Sequence, residues 1–277
     1  MAVLTVIIPA HNEANFIGPC LQAVFRSDGD LHGEIIVVAN GCDDNTVEIA
    51  QNHSSDAKSH GWNLIVIDLA KGGKPGALNA GDQAANFDQR VYLDADVIVS
   101  PPLLAQIFTI LEKPEAQYAS GTLCIPRPAS FISRAYCAIY RQVPFMTHGV
   151  PGAGLFAMNG AGRARWGEWP DIISDDTYAR LMFAPHERVK VAAKYDWPIV
   201  EGWMNLVAVR RRQNAGVDEI RSRYPDLLAN DNTPKLGKFE LLKLAISHPL
   251  GFLIYAAVAF SVRISRPKDR GDWRRGR

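Results

Sequence analysis

Long apolar runs are missing from this 277-residue chain, and so is any marked imbalance of charge. Its most apolar stretch, residues 250–262, holds 13 residues, short of the roughly 20 that a helix needs to cross a bilayer. The net charge of +1 removes a global electrostatic argument for nucleic-acid binding. Cysteine is sparse: Cys20, Cys42, Cys124 and Cys137 form no C-x-x-C pair, which excludes the common zinc and redox motifs. A chain of this length needs no disulfide framework, so free thiols in a reducing compartment are expected. No Lys or Arg precedes Arg26, so the first residues do not read as a signal peptide, and a cytoplasmic location is expected. The glycine-rich stretch 149–162, with Pro151-Gly152-Ala153-Gly154, is no G-x-G-x-x-G following a first strand, which argues against dinucleotide binding. It reads instead as a lining for an acceptor pocket, where small residues let backbone come close.

What is present is an ordinary globular composition, 47% hydrophobic and 21% charged, enough for one large α/β domain plus an appendage. Residues 3–8 are an apolar, β-branched run stopped by Pro9 and read as a buried strand. Helical spacing follows over 15–26, a strand over 34–38, a helix over 46–52, a strand over 63–68, a helix near 77–85 and a strand over 90–93. Strands apolar throughout and alternating with helices predict a mostly parallel sheet covered on both faces. Further on, 101–111 and 174–183 read as helices and 118–125 as a strand, with a polar linker near 229–236.

In such sheets, ligands gather beyond the carboxyl ends of the strands. Each predicted strand is followed there by polar residues: Asn12-Glu13, then Asn40 to Asp44, then the loop from Lys71 to Lys74, then Asp94-Ala95-Asp96. Two acids at a turning strand end allow one to face a nucleotide and the other a divalent cation. Mg²⁺ or Mn²⁺ takes oxygen ligands and shares them with phosphates. A departing nucleoside diphosphate needs its charge neutralised, and an attacking hydroxyl needs a carboxylate in reach. The second acidic cluster, Asp175-Asp176, could supply that carboxylate.

The segments Pro9-Ala10-His11-Asn12-Glu13, Ala39-Asn40-Gly41-Cys42-Asp43-Asp44-Asn45-Thr46, Gly73-Lys74-Pro75-Gly76-Ala77-Leu78-Asn79-Ala80-Gly81, Tyr92-Leu93-Asp94-Ala95-Asp96 and Ser174-Asp175-Asp176-Thr177 occur in this order. Together they resemble the inverting family 2 glycosyltransferases of the GT-A fold, over residues 3–212. The resemblance implies a nucleotide-sugar donor, UDP-linked, with Glu13 and Asn40 on uracil and ribose, Lys74 near the base or diphosphate, and Asp94 on the ribose or sugar side. Pro9, His11, Asn79 and Ala95 complete the implied donor site. Asp96 would hold Mg²⁺ or Mn²⁺, and Asp176, beside Asp175, would be the base that takes the acceptor's proton. Asn40 stands where the family usually has Asp, and Asp175 where it has Glu. The Q-x-x-R-W of processive synthases is absent, so addition of a single sugar to a lipid- or glycan-borne hydroxyl is expected. Rival readings are a nucleotidyltransferase, against which the acidic first loop speaks, and a degenerate sugar-nucleotide-binding protein.

The expected layout is a GT-A domain over 1–228 and a helical, membrane-adjacent extension over 229–277. Residues 263–277 carry seven Lys/Arg against Asp269 and Asp272, a local +5 that leaves about −4 for the rest. A basic segment after a short apolar one favours the inner face of an anionic membrane, with the helix lying in its surface; a buried core or homodimer helix and a true span are the other arrangements left open. Trp166 and Trp169 are expected in the core, with stacking on a sugar as the alternative.

Overall fold

A computed structural model describes residues 2–264, so the basic segment of the sequence reading lies largely outside the described residues. In chain order the elements are β1 (Ala2–Ala10), α1 (Ile17–Phe25), β2 (Leu31–Asn40), α2 (Thr46–Asn52), α3 (Ser54–Ser59), β3 (Trp62–Leu69), α4 (Lys74–Ala84), β4 (Arg90–Leu93), β5 (Ile98–Val99), α5 (Leu103–Leu111) and β6 (Tyr118–Cys124). Then come α6 (Phe131–Tyr140), α7 (Pro144–Thr147), β7 (Leu155–Met158), α8 (Gly160–Arg163), α9 (Asp175–Leu181), β8 (Arg188–Asp196), α10 (Trp203–Arg223), α11 (Lys238–Ser247) and α12 (Pro249–Ile264). The chain forms two compact units: residues 1–124, 152–171 and 175–197 in the first, and 125–151, 172–174 and 198–277 in the second.

The first unit is the α/β one. Its sheet runs β3-β2-β1-β4-β7-β6-β8-β5. β1 pairs in parallel with β2 and β4, and β2 with β3. β7 lies antiparallel between β4 and β6, while β6 and β8 are parallel. The predicted mostly parallel sheet is what the chain builds. The central strands are apolar over most of their length because both faces are covered. Ile35 and Val37 of β2 join Val6, Ile8, Leu21, Val24 and Ile107 in one core, while the alternate residues Ile36 and Val38 pack with Ala77 of α4. Gly81 lets α4 approach the sheet: a Cβ there would come 2.5 Å from Ile7 Cγ2. The order 3-2-1-4 reverses direction between β1 and β4. Their carboxyl ends, followed by His11-Asn12-Glu13 and by Asp94, flank the crevice that such a reversal opens.

Several local expectations are corrected here. The stretch 149–162 is no simple pocket lining, since its middle is β7, every residue of which is buried in the sheet. β8 had no counterpart in the sequence reading, although its burial alternates along Arg188–Asp196 as a half-covered strand should. Beyond Trp197 a single 21-residue helix, α10, carries Arg210–Arg212 in its interior.

The second unit is helical, built from α6, α7, α10, α11 and α12. Glu201 accepts from the backbone N–H groups of Ala129 and Ser130 at 2.8 and 2.9 Å, fixing the entry to α6. Gly251 of α12 meets α6 so closely that a Cβ would stand 2.7 Å from the Ala135 carbonyl. Tyr255 and Tyr136 pack with ring centroids 5.1 Å apart, and Arg210 donates to the Tyr255 hydroxyl at 3.4 Å. All four cysteines are free thiols. Among the described residues no helix is long and apolar enough to cross a membrane.

Candidate active site

The site lies in the first unit, where the loops after β1, β2, β3 and β4 are tied to one another by short contacts. His11 donates through Nδ1 to the Asn40 carbonyl at 2.7 Å. Asn12 adopts φ 55°, a left-handed conformation that Asn tolerates, and its Oδ1 accepts from Asp43 N–H at 2.9 Å. Glu13 N–H donates to Thr46 Oγ1 at 2.7 Å, and Ala14 N–H to Asp44 Oδ2 at 3.1 Å. These bonds lock the β1 loop onto the start of α2. From β2, Asn40 reaches both ways: Nδ2 donates to the Ala10 carbonyl at 2.8 Å, and Oδ1 accepts from Gly73 N–H at 3.0 Å at the head of α4.

At that head stands Lys74, and its ammonium joins the remaining pieces. It lies 2.8 Å from Asp94 Oδ1 and 3.0 Å from Asp175 Oδ2, so one cation bridges the D-x-D turn and the acidic pair. The turn is held in place by Asp94 N–H donating to the Gly154 carbonyl at 2.8 Å. A Cβ on Gly154 would come 2.5 Å from Trp197, and its φ of 73° is one that glycine takes without strain. Asp175 and Asp176 are the first two residues of α9. The buried Asp175 Oδ2 makes no aligned hydrogen bond, only the ion pair with Lys74.

The electrostatics follow from this crowding. Burial alone would lower the Lys74 pKa, but the Asp175 and Asp94 carboxylates overcome it and hold the ammonium charged well beyond its ordinary range. Asp176 is pushed up from 3.8 to about 6 by burial and by the neighbouring Asp175, against the pull of Lys74. Burial raises the Cys20 thiol, and the charges of Asp96, Asp94 and Glu13 add to it. Glu13, Asp94, Asp96, Asp175 and Asp176 together with Lys74 carry a formal charge of −4.

That donor set fits a hard divalent cation. Among the described residues no three His, Cys, Asp or Glu side chains are grouped to hold a metal by themselves. Mg²⁺ and Mn²⁺ characteristically take one or two carboxylates and complete their shell with substrate phosphates and water. The half-buried Asp96 can supply such a carboxylate.

Not every expected residue faces the crevice. Asn40 is 3% exposed and its amide is engaged on both sides, so it braces the rim where a base contact had been expected. Asn79 is likewise taken up: Oδ1 accepts from Trp169 N–H at 2.7 Å and Nδ2 donates to the Trp169 carbonyl at 3.3 Å. Ala95 is buried, and Pro9, which the sequence suggested as the stop of β1, lies within it in register with Val38. Trp169 is core, its indole N–H donating to Asp82 at 2.7 Å, and the half-buried Trp166 packs edge-on against it. Asp82, unremarked in the sequence, collects Arg90, Arg163 and the Tyr92 hydroxyl as well. Its place three residues after Asn79, on the same face of α4, was the available signal. Asn40→Asp should set a carboxylate against the Ala10 carbonyl and cost about 2 kcal/mol, read as a lower Tm; an unchanged Tm would show that the brace is dispensable.

The reversing sheet and a D-x-D turn bridged by lysine to a second acidic pair place the chain in the class of α/β proteins that handle nucleotide-linked ligands at a switch point. Residues 5–141 match the model of the family described as Glycosyl transferase family 2, and the chain belongs to that family. It is 28% identical over 150 residues to "Glycosyltransferase AglD" of Haloferax volcanii, covering 50% of this chain and 23% of that protein's length. Among solved structures it is similar to "Mannosyltransferase PcManGT from Pyrobaculum calidifontis in complex with GDP-Man and Mn2+", at 20% identity and a TM-score of 0.58 over 95% of this chain and 76% of that one. It is also similar to the structure of S. aureus TarS residues 1–349 with UDP, at 13% identity and a TM-score of 0.53 over 97% and 94%. These likenesses establish a GT-A fold.

Proposed function

We propose that the chain transfers one sugar, with inversion, from a UDP-linked donor to a hydroxyl on a lipid or glycan acceptor, with Mg²⁺ or Mn²⁺ bound. The observation that carries this reading is Lys74 within 3.0 Å of both Asp94 and Asp175, because it gathers in one unit the two acidic groups that glycosyl transfer requires. The similar structures that hold a nucleotide, GDP-Man with Mn2+ in one and UDP in the other, support the class of donor.

In this reading His11 and Glu13 line the nucleotide side, Pro9 and the buried Ala95 shape the backbone behind it, and Asp94 takes the ribose or sugar. Asp96 holds the cation, which neutralises the leaving diphosphate. Asp176 accepts the acceptor's proton as the hydroxyl oxygen bonds to the anomeric carbon and the bond from that carbon to the diphosphate breaks. A backside approach by one base-activated oxygen gives inversion. Asp175 stays paired with Lys74 and keeps that base in place.

A thermal-shift panel of UDP-, GDP- and dTDP-sugars, with and without Mn²⁺, tests the donor assignment. A ligand at a hundred times its Kd should add about 2.7 kcal/mol, several degrees in Tm for a protein of this size. Asp96→Ala should lose the Mn²⁺-dependent part of that shift and leave the apo Tm nearly unchanged. If no nucleotide sugar moves the melting curve under any condition, the proposal fails. A shift without turnover would favour the degenerate binding protein.

A further inference from the structure

The second unit presents an apolar surface that its own fold leaves bare. α12 has two apolar stripes. Gly251, Val258 and Val262 are buried, and Tyr255 between them packs on Tyr136 of α6. The other stripe, Leu250, Leu253, Ala257, Phe260 and Ile264, repeats at steps of three and four residues, and all five are exposed, Leu253 by 65%. Preceding it, α11 shows Phe239, Leu242 and Ile246 at the same spacing, with Phe239 exposed by 80%. A helix apolar on both sides belongs in an apolar surrounding, and a surface this size on a water-soluble chain marks a binding face.

Charge decides what covers it. Residues 235–277 hold ten Lys/Arg against three Asp/Glu, a formal +7 that leaves −6 for the rest of the chain. Lys235, Lys238 and Lys243 are exposed along and just before α11, and Arg263 at the end of α12. Residues 265–277 contribute six of the ten basic groups and one large apolar side chain, Trp273. Phe, Leu and Ile beside Lys and Arg are what an anionic bilayer surface accepts: apolar groups enter the acyl boundary while the cations stay at the headgroups. Among the described residues α12 has 16, about 24 Å of helix, against a hydrocarbon core of about 30 Å.

We infer that α11 and α12 lie in the surface of an anionic membrane through the stripes 239/242/246 and 250/253/257/260/264. This goes beyond the proposed transfer reaction and does not depend on it.

The test is co-sedimentation of the full chain with vesicles of phosphatidylcholine alone and of phosphatidylcholine mixed with phosphatidylglycerol, together with sedimentation equilibrium without lipid. Wild type should pellet with the mixed vesicles, less so at high salt, and remain monomeric without lipid. Leu253→Glu with Phe260→Glu should weaken vesicle binding about a hundredfold while keeping the wild-type Tm and whatever nucleotide-sugar shift the wild type shows. Should that pair fail to fold, Phe239→Ser with Ile246→Ser on α11 carries the same expectation. Equal binding by a folded variant, or no binding of wild type to either vesicle, overturns the inference. So does a wild-type dimer that these substitutions split, which would give the face to a second copy.

Discussion

Asp176→Asn should lower turnover by 10²- to 10⁴-fold, roughly the range for removing a general base, and at the same time raise the melting temperature. The two effects share one cause. Burial and Asp175 hold the Asp176 carboxyl at about 6, against 3.8 for an ordinary aspartate. A carboxyl whose folded pKa is raised binds more protons folded than unfolded, so stability falls as pH rises from about 4 to about 6 and the penalty is fully present above that. At 1.36 kcal/mol per pH unit this is at most about 3 kcal/mol. Asn removes the charge and the penalty with it, so the variant's advantage in Tm should appear at pH 7–8 and vanish near pH 4. In wild type, turnover should climb with pH through about 6, as the base becomes ionised. A donor-induced thermal shift preserved in Asp176→Asn would separate the base from the binding groups. Normal transfer by Asp176→Asn would remove it from the role of base.

That conflict between stability and chemistry was partly legible in the sequence. Asp175-Asp176 stood out as a charged pair, and the four strand-end clusters were found because the strands before them are continuous apolar runs. Val6, Ile7 and Ile8 are wholly buried, and a strand covered on both faces leaves little ambiguity. Lys74 was read as a donor-side residue. Its bond to Asp175 could not be, because 101 positions separate the two and only the fold brings α9 under α4.

Other failures have equally local causes. β7 has four residues, set between glycines and small residues that dilute its apolar signal. β8 alternates as a half-covered strand should, but its exposed positions include Lys190, Ala192 and Lys194, and lysine and alanine are poor strand formers. Asn40 and Asn79 were placed by motif on the ligand, yet side-chain amides can serve backbone groups equally well. Only coordinates reveal that the Ala10 carbonyl, Gly73 N–H and the Trp169 backbone engage them. Motif position located the crevice, whereas hydrogen-bond satisfaction decided which side chains line it.

Lys74→Met should destabilise the first unit while leaving every carboxylate in place. It removes the one cation shared by Asp94 and Asp175, whose side chains are 35% and 8% exposed. Breaking a buried pair by deleting one partner strands a charge. About 3 kcal/mol is expected, the low end of that range, because solvent screens Asp94. The loss must depend on pH. Without the ammonium, the Asp176 carboxyl loses the charge that opposes its rise and titrates higher still in the folded state, so the deficit against wild type is full at pH 8 and shrinks as acid protonates it. The Lys74 pKa, raised well above its ordinary value, keeps the ammonium charged across this whole window, so its own titration does not enter. Turnover should fall with stability, since Asp176 loses the neighbour that opposes its rise and would be largely protonated at pH 6. Lys74→Arg, which keeps the charge, should recover most of the Tm and restore the pH profile even where its larger head disturbs the donor. Melting curves from pH 5 to pH 8 decide the matter: a Lys74→Met deficit that is the same at every pH would mean that the lysine acts by packing, and that the D-x-D turn and the acidic pair are not joined through its charge.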